Sequence, residues 1–299
     1  MNKALYIALA ITGITSCSAQ NNNKPADMFP VFDTEAHRGG RGLMPENTIP
    51  AMYNAIDLGV TTLEMDTHIT ADGKVVVAHD DTFNPLFALT PDGKNISKEN
   101  ATRYALYKMA YAEIALFDVG SKPYSKFPEQ KRLKAQVPLL ADLIDSTQAY
   151  LKAKGKPQLF YNIETKCSAE NDGIYNPDPE TFVKLLMEVI IKKKLLPYVV
   201  IQSFDKRTIQ IIHQKYPQVR TSYLVDNKQT FAANLADLGF TPFIYSPAYK
   251  LLTAEMIRQC HQKNIKIIPW TVNTKEEITG LKALGVDGII SDYPNLLVP

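Results

Sequence analysis

Four short stretches early in the chain concentrate ionisable side chains: His37-Arg38-Gly39, Pro45-Glu46-Asn47-Thr48, Glu64-Met65-Asp66 and His79-Asp80. Such a set can move protons and bind a metal or an anion. Glu64 and Asp66, two apart on a strand, project from one face. Glu164, in Asn162-Ile163-Glu164-Thr165-Lys166, ends a later strand in the same way. Three carboxylates about 4 Å apart would repel by a few kcal/mol per pair at an effective dielectric near 20. One divalent cation would neutralise them, and all-oxygen ligation selects a hard ion, Mg²⁺ or Ca²⁺, over zinc. Separate salt bridges to Arg38 and Lys166 would serve as well, and residue types alone leave both open. His37 and His79 suit a base and an acid at a phosphorus centre, each transfer worth roughly 10²–10⁴ in rate. His68, His213 and His261 lack such neighbours and read as surface or helix residues. Arg38 offers a bidentate fork and Lys166 a point charge for phosphoryl oxygens. Gly39 and Gly40 would let backbone approach a ligand, while Glu46 and Asn47 organise the turn and cap the helix behind it.

These residues need a scaffold that brings strand ends together. Short apolar runs alternate with helical patterns, the mark of parallel α/β architecture. Strands are expected at Phe32–Ala36, Thr61–Asp66, Val75–Ala78, Gln158–Glu164, Val199–Ser203, Val219–Val225, Pro242–Tyr245, Lys266–Trp270 and Asp287–Ile290. Helices are expected at Thr48–Leu58, Pro179–Lys193, Lys206–Tyr216, Lys228–Leu238, Ala254–Lys263 and Lys275–Leu284. Nine strands are one too many for an eight-stranded barrel. The turn Ala71-Asp72-Gly73 resolves the excess, because parallel neighbours need a crossover of about a dozen residues or more. The third run therefore returns antiparallel as an arm, carrying His79 towards the carboxylates. What remains is a (β/α)₈ TIM barrel, typically of about 250 residues. Residues 81–136 lack the alternation and read as an inserted segment over the barrel mouth. Its helical pattern spans roughly Ser97–Phe117, with Tyr104, Tyr107 and Tyr111 packing it onto the barrel.

The formal net charge is +2 with Lys and Arg scattered, which excludes an extended basic surface for nucleic acid. Lys3 precedes an apolar run from Ala4 to Ile14 that is too short to span a bilayer and of signal-peptide length. Ile14-Thr15-Ser16-Cys17 resembles a bacterial lipobox, so residues 1–16 are expected to be a signal and Cys17 the lipidated first mature residue. Residues 17–30 read as a polar tether and 31–299 as the folded domain. Export to a bacterial membrane surface through a lipid anchor follows from that expectation. Cys167 and Cys260 map to a strand end and a helix, and are expected as unpaired thiols.

Taken in order, the four opening stretches resemble the signature of the glycerophosphodiester phosphodiesterase family: His-Arg-Gly, Pro-Glu-Asn-Thr, Glu-Leu-Asp and His-Asp. Ser203-Phe204-Asp205, Trp270-Thr271-Val272-Asn273 and Gly288-Ile289-Ile290-Ser291-Asp292 resemble its later motifs. The likeness runs from Thr34 to Asp292. It implies one Ca²⁺ or Mg²⁺ on Glu64, Asp66 and Glu164, acid–base work by His37 and His79, and phosphate contacts from Arg38 and Lys166. Phe204 and Trp270 would wall the substrate's glycerol. The implied reaction cleaves deacylated phospholipids to sn-glycerol 3-phosphate and an alcohol, through attack of the substrate's own 2-hydroxyl and a cyclic phosphate. Alternatives are a lysophospholipase D-like enzyme acting on acylated substrates, a phosphodiester-binding lipoprotein without turnover, and a TIM-barrel glycosidase. The last would leave His37, His79, Arg38 and Lys166 without a task.

Overall fold

The computed structural model describes Met1 and residues 28–298. Cys17 and the apolar run before it lie outside the described residues. Strand β1 (Asp33–Ala36) leads through a turn to helix α1 (Ile49–Leu58), β2 (Thr62–Ile69) and the short β3 (Val75–Val77). After the insertion, with its single helical turn α2 (Tyr111–Ile114), come α3 (Leu140–Lys154), β4 (Phe160–Thr165), α4 (Pro179–Lys192) and β5 (Val199–Ser203). The chain finishes with α5 (Lys206–Lys215), β6 (Arg220–Val225), α6 (Phe231–Leu238), β7 (Ile244–Pro247), α7 (Ala254–Gln262), β8 (Lys266–Ile267), α8 (Lys275–Leu284) and β9 (Gly288–Ser291).

Eight parallel strands run in the order β8-β7-β6-β5-β4-β2-β1-β9. Hydrogen bonds from Asp287 N to Ile267 O (2.9 Å) and from Ile290 N to Pro269 O (3.0 Å) bridge the remaining gap. β3 pairs antiparallel with β2 in the register Thr67–Val77. This is the return arm that the short turn requires.

Strand side chains alternate between two buried environments, which is why the strands read as near-continuous apolar runs. Leu63, Met65, Tyr161, Ile163 and Ile201 pack outward on Leu186 and Ile209 of the helical ring. Phe160, Val200, Ile244, Ile268 and Ile290 fill the barrel interior. Phe29 closes its floor, 7% exposed and edge-on to Phe160 and Phe243. Part of the stretch taken for tether is therefore core, because one aromatic residue beside Pro30 suffices to plug a barrel end.

Capping fixes where helices begin. Thr48, not Asn47, caps α1, accepting from Ala51 N at 3.3 Å. Asp178 caps α4 ahead of Pro179, as its sequence suggests. The sequence reading passed over α3, whose buried Leu140, Leu143, Ile144, Thr147 and Leu151 follow helical spacing. Thr147 interrupts that apolar stripe, and its hydroxyl is satisfied by Tyr161 at 2.8 Å.

The insertion also departs from expectation. Residues 97–117 form 3₁₀ turns (Lys98–Tyr104 and Leu106–Lys108) and α2 rather than one helix. These turns enclose a small core of Phe83, Ile96, Leu106, Ile114 and Phe117 against Val76 and Val137. Tyr104 and Tyr111 pack on that core and Tyr107 on the barrel's. The segment then crosses the β1–α1 loop, with Gln130 Nε2 donating to Arg41 O at 2.7 Å and Lys131 N to Leu43 O at 2.8 Å.

Candidate active site

Glu64 and Asp66, midway along β2 before it runs on into the arm with β3, and Glu164 near the C-terminal end of β4 face the barrel axis, between the outward Leu63, Met65 and Ile163. Their oxygens lie within 4.8 Å of one another, and all three residues are buried. The two neutralisation schemes left open by residue types coexist. Arg38 Nε stands 3.2 Å from Asp66 and Lys166 Nζ 2.9 Å from Glu164, yet the trio still converges. Arg38 also pairs with Glu46 at 2.9 Å. Arg41 adds a third cation, 3.7 Å from Glu46 and 2.6 Å from Asp292, so five carboxylates face three cations, leaving two negative charges for one divalent ion to balance.

The electrostatics agree with that count. Burial, with Asp66 beside it, pushes Glu64 well above the ordinary carboxylate range. Burial also raises Glu164, against the pull of Lys166. Burial opposes the charge on Asp66 too, but Arg38, His79 and Lys166 hold that group well below the usual range. Asp66 Oδ1 is buried without a hydrogen bond. An oxygen-seeking dication would stabilise all three as carboxylates and use that orphaned atom, so these residues fit a hard metal ion.

The remaining ligand oxygens are fixed by neighbours. Arg38 N donates to Glu64 at 2.7 Å, Gln202 Nε2 to its other oxygen at 2.8 Å, and Asn47 Nδ2 to Asp66 at 2.8 Å. Sequence reasoning missed Gln202, although it stands opposite Glu164 in the β4–β5 register. Asn47 was given to the helix cap. Gly39 and Gly40 were given to ligand approach, but a Cβ on Gly39 would meet Ala51 Cβ at 2.7 Å and one on Gly40 would meet Pro294 at 2.8 Å. Their role is packing of the turn.

His37 follows β1, and its Nδ1 lies 2.5 Å from Asp292 just beyond β9. Arg41 Nε (2.6 Å) and Asn273 Nδ2 (2.9 Å) donate to the same carboxylate. His79 is held likewise, Nδ1 to Asp80 at 2.6 Å, and Asp80 accepts from Asn84. With Nδ1 held by a carboxylate, Nε2 of each imidazole is the atom left to take or give a proton. Burial lowers His37 to about 4 despite Asp292, and Arg38 and Arg41 add to the effect. Asp292 and Arg41 escaped the sequence reading because the partner of His37 is 255 positions away. Asp292 was visible only as the end of a strand motif. His68 is a correction: it is fully buried on β2, its Nε2 3.0 Å from His79 O. A polar residue on a strand was mistaken there for surface.

Two cavities meet at the carboxylates. One, of about 250 Å³, is lined by His37, Arg38, Arg41, Leu224 and Trp270. The other, of about 500 Å³, is lined by Asp80, Asp81, Asn171 and Tyr175. His79, Glu164, Lys166 and Phe204 border both. Phe204 and Trp270 meet edge-to-face at 5.4 Å, forming a wall at the junction. Cys167 and Cys260 are buried and unpaired, as expected. Among the described residues, no helix is long and apolar enough to cross a membrane.

Comparison with known proteins agrees with this geometry. A glycerophosphodiester phosphodiesterase of Bacillus subtilis is 27% identical over 297 residues, covering 97% of this chain and 92% of its own. One from Caldanaerobacter subterraneus is 27% identical over 263 residues, covering 88% and 95%. A Silicibacter pomeroyi crystal structure bearing the family's name matches with a TM-score of 0.79 at 26% identity, over 89% of this chain and 92% of that one. A model of the Glycerophosphoryl diester phosphodiesterase family matches residues 37–296, and the chain belongs to that family.

Proposed function

We propose that the chain hydrolyses glycerophosphodiesters to sn-glycerol 3-phosphate and the headgroup alcohol, with His37 and His79 as the proton-transfer pair. The observation that carries this is their placement: two imidazoles border the cavities around one carboxylate trio, each with Nδ1 held by an aspartate. A divalent cation, Mg²⁺ or Ca²⁺, on Glu64, Asp66 and Glu164 would supply Lewis acidity and charge neutralisation when bound.

The chain's own groups divide the work by position. The substrate phosphate lies at the junction of the cavities, between Arg38 and Lys166, which hold its oxygens as negative charge builds. The glycerol occupies the smaller cavity against Trp270 and Phe204. His37, buried and uncharged beside two arginines, takes the proton of the glycerol 2-hydroxyl as that oxygen bonds to phosphorus. His79 stands where the larger cavity begins and gives a proton to the departing alcohol as its bond to phosphorus breaks. Water then opens the cyclic phosphate with the roles exchanged. One oxygen from each of three carboxylates lies within 4.8 Å of the others, a cluster that suits a single cation rather than the two carboxyls roughly 5–9 Å apart that a glycosidase uses, which tells against that alternative. We also read Cys17 as the lipid anchor of an exported protein; metabolic acyl labelling lost in Cys17→Ser would support it, and equal labelling would not.

The test is release of glycerol 3-phosphate by wild type, His37→Ala and His79→Ala. Each substitution is expected to lower turnover at least about a hundredfold, with folding retained. A wild-type rate in either variant removes that histidine from the reaction.

A further inference from the structure

Strand β2 presents Glu64, Asp66 and His68 in succession on one face. The first two belong to the carboxylate trio, while the reaction above gives the third no task. His68 is fully buried, and its Nε2 lies 3.0 Å from the carbonyl oxygen of His79. A carbonyl only accepts, so Nε2 carries the proton and donates it. Its Nδ1 is buried without a hydrogen bond, 3.8 Å from Asp81. The bond to His79 gains weight from where the strand ladder stops. β3 ends at Val77, and the last backbone bond of the arm runs from Ala78 N to Asp66 O at 3.1 Å. The next begins at Asp81, whose carbonyl accepts from Leu106 N at 2.9 Å. Among the described residues, no backbone–backbone bond holds His79 or Asp80 between them. Asp80 cannot anchor the step, because it orients the His79 ring from the same unpaired stretch. Both side chains are about one-third exposed, 30% and 34%, so packing holds them weakly. The His68 imidazole thus ties this step to the strand that carries Glu64 and Asp66. A displacement of about 1 Å at a reacting group can cost a hundredfold in rate.

We propose that His68 is a positioning residue for the acid: by donating to the His79 carbonyl it sets the reach of the His79 ring to the departing oxygen. One strand then fixes both the carboxylates of Glu64 and Asp66 and, through His68, the proton donor. The claim rests on the hydrolytic reading, in which His79 gives its proton as the bond from phosphorus to the leaving oxygen breaks. His68 touches neither reacting atom, so its loss misplaces the acid without removing it. The expected cost is about tenfold, below the hundredfold or more for removing the imidazole of His79.

The test compares glycerol phosphodiesters with two leaving groups. An alkyl alcohol departs with a proton, whereas para-nitrophenoxide departs without one. A misplaced acid slows the first and spares the second; a general loosening of the fold slows both. His68→Asn carries its amide at the level of Nδ1 and falls short of the His79 carbonyl, while His68→Gln reaches the level of Nε2 and keeps a donor. His68→Asn should lower kcat about tenfold on the alkyl diester, with KM little changed, and stay within about threefold of wild type on the para-nitrophenyl diester. His68→Gln should recover most of the loss. Equal slowing of both substrates, full activity in His68→Asn, or no recovery in His68→Gln overturns the proposal. Wild-type NMR reads the bond itself and serves even if His68→Asn does not fold: a slowly exchanging proton on His68 Nε2 upholds it, and a bare Nε2 overturns it. His79→Ala on the same substrates separates this claim from the reading beneath it. A leaving-group split in His79→Ala but not in His68→Asn sinks the positioning role alone. Equal slowing of both substrates in His79→Ala sinks the acid role, and this inference with it.

Discussion

Replacing Asp292 by Asn should cripple catalysis while barely changing shape. Oδ1 of Asp292 accepts from both His37 and Arg41, and Oδ2 accepts from Asn273. An amide cannot satisfy all three. With its oxygen towards His37, its NH₂ meets the NH₂ of Asn273. Flipped, its NH₂ meets Nδ1 and forces the proton onto Nε2, which removes the base. In either orientation the imidazolium formed at the transition state loses its counter-ion. A unit-charge pair about 4 Å apart is worth roughly 4 kcal/mol at an effective dielectric near 20. The neighbouring Arg41 charge offsets part of this, leaving about 2–4 kcal/mol, or roughly 30- to 1000-fold in rate. The loss belongs to the transition state, so kcat and kcat/KM should fall together. Steady-state release of glycerol 3-phosphate measures both, with thermal melting as the control. The double variant with His37→Ala should lose little beyond His37→Ala alone, since the two act as one unit. A folded Asp292→Asn protein with kcat within threefold of wild type would refute the role given to this carboxylate.

Other outcomes follow from buried groups. Glu35, 1% exposed in the barrel interior, accepts from Asn162 at 2.7 Å, while Oε1 has no partner. Burial, then Asp33 and Glu64, raises it well above the ordinary carboxylate range. Its contribution to stability is therefore full below the unfolded-state value and lost as pH rises past it. Glu35→Gln should flatten the fall of Tm between pH 5 and 9 and raise Tm at pH 8 by a few degrees; a lower Tm at pH 8 contradicts this. Burial pushes the thiols of Cys167 and Cys260 up to about 12. Neither should react with a thiol reagent at pH 8 until denaturant is added, as peptide mapping of the label would record. Rapid labelling of either in the folded protein would show that its surroundings are more open than described.

The barrel was legible because parallel strands buried on both faces leave unmistakable apolar runs, and the Ala71-Asp72-Gly73 turn admits only an antiparallel return. Glu64, Asp66 and Glu164 were legible because strand alternation puts such carboxylates on one face. Helix α3 was passed over where Thr147 broke the apolar stripe, a polar side chain satisfied by Leu143 O one turn back (2.9 Å) and by Tyr161 on another element. The insertion deceived because Ser97–Phe117 has helical composition but folds as turns around Phe83 and Phe117, stacked at 3.9 Å. At the site, what escaped were residues acting through others: Asp292 on His37, Gln202 on Glu64, Asn47 on Asp66. Local pattern carries the direction of a side chain but not the partner that closure of the barrel brings to it.

Central to this account is a single hard cation gathered by three converging carboxylates. Chelator-treated protein, titrated with Mg²⁺ or Ca²⁺ while glycerol 3-phosphate release is followed, tests it most directly. Activity should be absent at first and rise to a plateau at one ion per chain, with Glu64→Gln and Glu164→Gln failing to recover. Full turnover in excess chelator would contradict the account.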